Sequence, residues 1–232
     1  MLKIENLSKS FGNLKVIEKA CLQVESEIRV VLGLNGCGKS TMLKVIAGIL
    51  KGDTGEILVN GRDITGIPSE ERHVGYVPQQ SSLFKHMTVR DNIRYCLRNG
   101  RGAQTDINQI TKMLGLEEVL DKKPGTLSGG FQSRVSLART LASQPHVMLM
   151  DEPLSDLDLA IKERLLPEFK KVLKSLRVPV IYVTHDLTEA ALLGDRFSSM
   201  TEGVLSDADS AESAFGMVRE SILKKDPLKP KP

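Results

Sequence analysis

An α/β fold, mostly parallel at its centre, with a small antiparallel β-subdomain and an inserted α-helical subdomain, is predicted by three features of the sequence. Residues 147–150 and 178–183 are continuous apolar runs on either side of a helical stretch over 159–173, the pattern of buried parallel strands joined by a crossover helix. Residues 28–32 form a third short run that ends in a glycine-rich turn, followed by a helical pattern over 41–50 that stops near Gly52. Leu2, Ile4 and Leu7 alternate loosely with polar residues, and the run 56–59 enters Asn60 and Gly61, a dipeptide suited to a tight type I′ turn. The N-terminal part therefore holds the antiparallel sheet.

From about Met87 to Pro124 the pattern becomes helical and more polar, interrupted by Gly100 and Gly102, which reads as the inserted subdomain. Beyond Ser206 a short helix is expected, with Phe215, Val218 and Ile222 on one face. The Lys/Pro-rich end, 224–232, has the composition of a disordered tail.

Composition narrows the function. The chain has 232 residues, 41% hydrophobic and 26% charged, enough to bury a full core. Its formal charge of +3 is spread along the chain, which gives no support to nucleic-acid binding. Met1 to Phe11 lacks the apolar centre of a signal peptide, and no segment approaches the roughly 18 apolar residues of a membrane span. Any membrane role then belongs to a separate subunit. Cys21, Cys37 and Cys96 lack the paired spacing of a disulfide scaffold or zinc site, which fits a reducing cytosol.

The chemistry is concentrated in a few segments. Gly33, Gly36, Gly38, Lys39 and Ser40 match a phosphate-binding loop, and they stand between a predicted strand and a predicted helix. Glycines let backbone N–H groups approach phosphate oxygens, and the following helix N-terminus favours the anion. Lys39 is expected to neutralise the β and γ phosphates of a nucleotide, and Ser40 to ligate Mg²⁺. Asn35, Gly36, Cys37, Gly38 and Thr41 complete the expected phosphate contacts. The strand ending in Asp151 and Glu152 then supplies two carboxylates that strand geometry turns apart. Asp151 fits a place beside Mg²⁺, and Glu152 fits the polarisation of an attacking water. Alone, such an acid could equally cap a helix; following a phosphate loop, it acquires a chemical role.

Leu127, Ser128, Gly129 and Gly130, lying between the phosphate loop and the carboxylate strand, resemble the signature motif of the ATPase domains of ABC transporters. The resemblance covers about residues 2–205 and implies a P-loop NTPase core. It gives an ATPase domain over 1–206, with the helical subdomain and signature at about 87–135, and a C-terminal segment over 207–232. By the same resemblance, Gln79 matches the glutamine loop and a Mg²⁺ ligand, Asp158 closes the D-loop, His185 is the switch histidine, and Phe11 stacks on adenine. It also implies that two copies pair head to tail, each ATP held by the phosphate loop of one chain and by Ser128, Gly129 and Gly130 of the other. The expected cofactors are ATP and Mg²⁺. Three positions depart from the family pattern: Phe131 replaces the usual Gln, Lys85 replaces a common Pro, and Asp156 adds a charge inside the D-loop.

The stretch 77–89 is similar to the glutamine-loop region of importer ATPases for oxyanions, sugars and polyamines. This implies an integral membrane permease as partner, a solute-binding protein acting indirectly, and a place on the cytoplasmic face of the cell membrane. Molybdate, tungstate or sulfate is the expected class of solute. Leu83, Phe84 and Met87 either line a groove for a helix of the permease or belong to the subdomain core. With only 207–232 beyond the ATPase domain, regulation through an appended β-rich domain is not expected. Two alternatives are a soluble ABC ATPase of DNA repair or cluster assembly, and a nucleotide-responsive interaction module. The interval 79–128 has no sustained heptad repeat, which argues against the first. Finally, Lys39 and the helix N-terminus predict a depressed pKa for Cys37, and alkylation faster than at Cys21 or Cys96.

Overall fold

The computed structural model describes residues 1–155, 157 and 159–224. In chain order the strands are β1 (Leu2–Phe11), β2 (Leu14–Val24), β3 (Ile28–Leu32), β4 (Thr54–Val59), β5 (Arg62–Asp63), β6 (Val74–Val77), β7 (Val147–Asp151), β8 (Val180–Thr184), β9 (Arg196–Thr201) and β10 (Val204–Ala208). The α-helices are α1 (Lys39–Ile46), α2 (Val89–Arg94), α3 (Gln104–Met113), α4 (Gly129–Leu141), α5 (Leu159–Ser175), α6 (Leu187–Leu193) and α7 (Ala211–Lys224). One sheet, in the order β2-β1-β4-β5, is antiparallel. The other, β10-β9-β3-β8-β7-β6, is parallel except at its β9–β10 edge. The expected architecture is therefore present.

The central strands β7 and β8 are apolar on both faces because both faces are covered. Leu32, Met148, Met150 and Tyr182 point into a core shared with the helices, whereas Val31, Leu149, Ile181 and Val183 point into a core shared with the antiparallel sheet and α1. Strand periodicity of two thus divides each strand between two cores. The phosphate loop lies at the seam, at the C-terminal end of β3, where ligands of open parallel sheets bind.

Helix α1 is shorter than expected: it ends at Ile46 rather than near Leu50. Gly48 has φ +78, the left-handed conformation that stops a helix. The carbonyls of Val45, which also accepts from Gly48 N, and Ile46 accept from the buried guanidinium of Arg72 at 3.0 and 2.9 Å. The same side chain donates to Ile67 O and Thr65 O at 2.7 Å each. A side chain on Gly48 would meet Arg72 Nε at 2.5 Å, so the glycine also makes room for the cap.

Helix α7 packs through Ala211, Ala214 and Val218, all buried. The expected apolar face through Phe215 and Ile222 is corrected: these are 39% and 46% exposed, because the small alanines let the helix lie close to β9 on another side. The Lys/Pro tail from 225 onward is outside the described residues. Of the three residues open to a groove or a core reading, Leu83 is buried in the helical core, while Phe84 and Met87 remain half-buried. Asn92 fastens this segment, accepting from Phe84 N at 2.8 Å and donating to the carbonyls of Phe84 and Thr88.

Arg72→Ala is expected to lower unfolding stability by about 3 kcal/mol, because four backbone carbonyls lose a charged donor. Urea denaturation checks this, and Arg72→Lys should recover less than half, an ammonium being unable to span the four acceptors.

Candidate functional site

The loop 33–38 is shaped by two glycine conformations with different causes. Gly38 has φ +111, and a Cβ there would meet Val16 O at 2.5 Å, so the backbone passes directly against β2 before α1 begins. Gly36 has φ +82 and nothing within 4 Å of a built Cβ, so its backbone faces open space. That space is a cavity of about 190 Å³ whose lining includes Val16, Gly36, Lys39, Ser40, Gln79 and Glu152. Asn35, Gly38 and Thr41 border it too.

Lys39 is 4% exposed, and its ammonium has three partners: it donates to Gly33 O at 2.8 Å and Leu34 O at 3.0 Å, and pairs with Glu152 at 3.1 Å. A buried ammonium requires such compensation. Glu152, 6% exposed, follows the last residue of β7 with φ +46, a left-handed value uncommon for a residue with a side chain. The conformation places its carboxylate between Lys39 and His185, whose Nδ1 lies 2.7 Å from Glu152 Oε2. Strain of this kind persists where surrounding contacts over-determine it; here Glu152 N donates to Val183 O and Ser155 N to Glu152 O, both at 3.1 Å.

Asp151 faces the other way, as the alternation of the strand requires. Its two oxygens accept from Ser40 Oγ and from the hydroxyl of Tyr76, each at 2.8 Å. Burial, and then the charge of Asp151, push the Tyr76 phenol well above its ordinary pKa, so it remains a donor. Gln79 reaches this side as well, since Ser40, Tyr76, Gln79 and Asp151 share a second cavity of about 520 Å³. Ser40, Asp151 and Gln79 are hard oxygen donors too few to enclose an ion. That suits Mg²⁺, which keeps waters and phosphate oxygens among its ligands.

The sequence thus brings Lys39, Ser40, Gln79, Asp151, Glu152 and His185 to one place. Tyr76, Val16 and Thr184 also belong to the neighbourhood and carry no motif of their own; only the fold assigns them. Phe11 stands 49% exposed at the end of β1, with Lys9 Nζ 5.3 Å from its ring centroid, and does not line either cavity. Asp158 and Asp156 lie outside the described residues.

Ser128, Gly129 and Gly130 line neither cavity. Ser128 is the N-cap residue of α4, yet its side chain makes no capping bond, and Ser128 and Gly129 are exposed. The N-terminus of this helix of 13 residues is therefore presented outward. Gly130 is buried against α5, where a Cβ would sit at ordinary contact distance, 3.6 Å, from both Ile161 and Leu165. Phe131 packs against the helical core with the Arg134 guanidinium 5.9 Å from its ring centroid.

The expectation for Cys37 is overturned. Burial raises its thiol pKa and outweighs the attraction of Lys39. The side chain points back under the loop, where a Cβ on Gly33 would meet its Sγ at 2.6 Å. The expected order of alkylation at neutral pH is therefore exposed Cys21 first, Cys37 later and buried Cys96 last. Mass-spectrometric mapping after limited iodoacetamide treatment checks this, and earlier labelling of Cys37 would restore the thiolate reading.

Comparison with known proteins agrees with this geometry. The profile of the family described as ABC transporter matches residues 21–155. The molybdate/tungstate import ATP-binding protein WtpC of Methanocaldococcus jannaschii is 42% identical over 97% of this chain and 73% of its own length. The protein of that name from Pyrococcus horikoshii is 40% identical over 93% of this chain, which spans only 64% of that relative's length. A solved dimeric bacterial ABC transporter cassette superposes with a TM-score of 0.80 at 29% identity, covering 91% of this chain and 99% of its own. With signature, phosphate loop and carboxylate strand in the family order, the chain belongs to the ABC transporter family.

Proposed function

We propose that this chain binds and hydrolyses ATP with Mg²⁺, pairs head to tail with a second copy, and powers solute import through a separate membrane permease. The observation that carries the first part is the chain formed by buried Lys39 and Glu152 with the exposed His185, beside a cavity open at Gly36. Lys39 holds negative charge at the loop, in place of which it now holds two carbonyls and a carboxylate. Glu152 accepts a proton from the attacking water, and His185, fixed through Nδ1, orients the group it faces. Ser40, Asp151 and Gln79 would hold Mg²⁺, which when bound would neutralise phosphate charge. Phe11, exposed at the end of β1, offers its ring to the adenine.

Pairing follows from the placement of the signature. A helix N-terminus without a side-chain cap, behind exposed Ser128, is suited to phosphate and lines neither cavity of its own chain, so a second chain can use it. Nucleotide binding then favours the dimer, and hydrolysis releases it. Asp158 completes this interface in the proposal.

The resemblance of residues 77–89 to importer ATPases favours import, and the names of the molybdate/tungstate relatives favour an oxyanion of the expected class as the solute. A cavity of about 320 Å³ lined by Ser82, Phe84, Tyr95, Arg101 and Arg139 is the place for a permease helix, with a solute-binding protein acting on the permease from outside. Phe84 carries the apolar contact there, its ring tilted against that of Tyr95 with centroids 4.7 Å apart. No helix among the described residues is long and apolar enough to cross a membrane. A peripheral place on the cytoplasmic face of the membrane is part of the same proposal.

Glu152→Gln is expected to bind ATP, to lose turnover by about a hundredfold or more, and to run as a dimer in size-exclusion chromatography with MgATP. A monomer that keeps turnover would remove Glu152 from its role. Ser128→Arg is expected to keep ATP affinity as a monomer and to lose pairing, measured by the same chromatography and by equilibrium binding; equal loss of monomer binding would count against a shared site. Co-purification with a membrane permease tests the importer reading, and recovery of DNA or a soluble scaffold instead would favour the non-transport ATPases.

A further inference from the structure

A second buried ionic cluster lies behind His185 and has no place in the chemistry above. Glu189 of α6, 2% exposed, pairs through Oε1 with Lys162 of α5 at 2.7 Å, and Lys162 is itself 9% exposed. Its other oxygen, Oε2, accepts from the hydroxyls of Tyr182 at 2.9 Å and Thr184 at 2.8 Å. Both residues flanking His185 are drawn in. Thr184 Oγ1 also accepts from Asp186 N at 3.0 Å, and Asp186 accepts at the N-terminus of α6 while lying 3.5 Å from Lys162.

Such a cluster is a poor stabiliser. Removing two charges from water costs several kcal/mol per ion, and apolar replacements of similar size are often neutral or better. What it supplies is directional: two hydroxyls and an ammonium converge on one carboxylate, and the four residues join three parts of the frame. Tyr182 and Thr184 belong to β8, Glu189 to α6 and Lys162 to α5. The turn holding His185 is therefore tied to the helix that begins at Leu159, immediately after the Ser155–Asp158 segment that the proposed pairing uses.

We propose that the Lys162–Glu189 pair is a positioning latch that sets the His185 imidazole against Glu152, transmitting the placement of α5 to the hydrolytic geometry. This inference rests on the ATPase reading. Lys162 and Glu189 touch neither cavity, so they act through His185 and not on the reacting atoms.

The test compares wild type, Lys162→Arg and the double substitution Lys162→Met with Glu189→Gln. The double variant keeps an acceptor for Tyr182 and Thr184 while cutting the link to α5, and it avoids leaving one buried charge alone. It is expected to melt within a few degrees of wild type, with kcat lower by about tenfold or more and KM for ATP unchanged. Lys162→Arg should recover kcat to within about twofold. The imidazole NMR resonance of His185 gives the second readout, with His73, His86 and His146 as internal references. It should move in the double variant and stay in Lys162→Arg. An unmoved His185 resonance overturns the latch whatever the rate, and so does a loss of kcat that follows melting temperature across the series. Absence of turnover in the wild type would count against the ATPase reading alone, because the NMR comparison still decides the latch.

Discussion

The structure around the site is arranged to hold one buried positive charge. Lys39 must keep its ammonium inside the loop, where phosphate is to be bound, and an unpaired ammonium there would be prohibitively costly. The two loop carbonyls and Glu152 carry that charge in the meantime. Much else follows from this. Glu152 must take a left-handed backbone to reach Lys39, β7 must end beside β8 so that Val183 O receives Glu152 N, and His185 must stand at the end of β8 to occupy the other carboxylate oxygen. The order of strands β3, β8 and β7 in the parallel sheet places these three ends together.

Most of this was legible in the sequence, for identifiable reasons. Lys39, Ser40, Asp151 and Glu152 sit at or just beyond the C-terminal ends of buried strands, and continuous apolar runs mark such strands clearly. The shorter α1 was not legible, because its end is set by Arg72, which lies 26 residues beyond Ile46 and is aimed at it only by the fold. The Cys37 thiol was misjudged because proximity to Lys39 in sequence says nothing about burial, and burial is the larger influence. For α7 the pattern was drawn on the large residues, whereas the close approach uses Ala211 and Ala214. Tyr76 and Glu189 carried no motif; each becomes meaningful only as a partner, one to Asp151 and the other to Thr184.

The helical subdomain answers to a different constraint. Its signature residues begin α4 with an exposed, uncapped N-terminus, which a self-contained domain would be expected to satisfy. Arg139, on the same helix, donates to Ser82 O at 2.8 Å, three residues from Gln79. Asn92 anchors Phe84 from α2. The segment between the nucleotide cavity and the proposed permease groove is thus short and tied at both ends to the subdomain, so displacement of Gln79 has a direct mechanical path to the groove and to α4.

The central claim is that Lys39 exchanges its internal partners for nucleotide phosphate. Calorimetric titration with ATP measures this most directly, comparing wild type with Lys39→Met, which preserves length and removes charge. The account predicts binding about 100-fold weaker in the variant, the worth of a charge-assisted contact of about 3 kcal/mol, with folding retained. Equal affinity in the two proteins would contradict it.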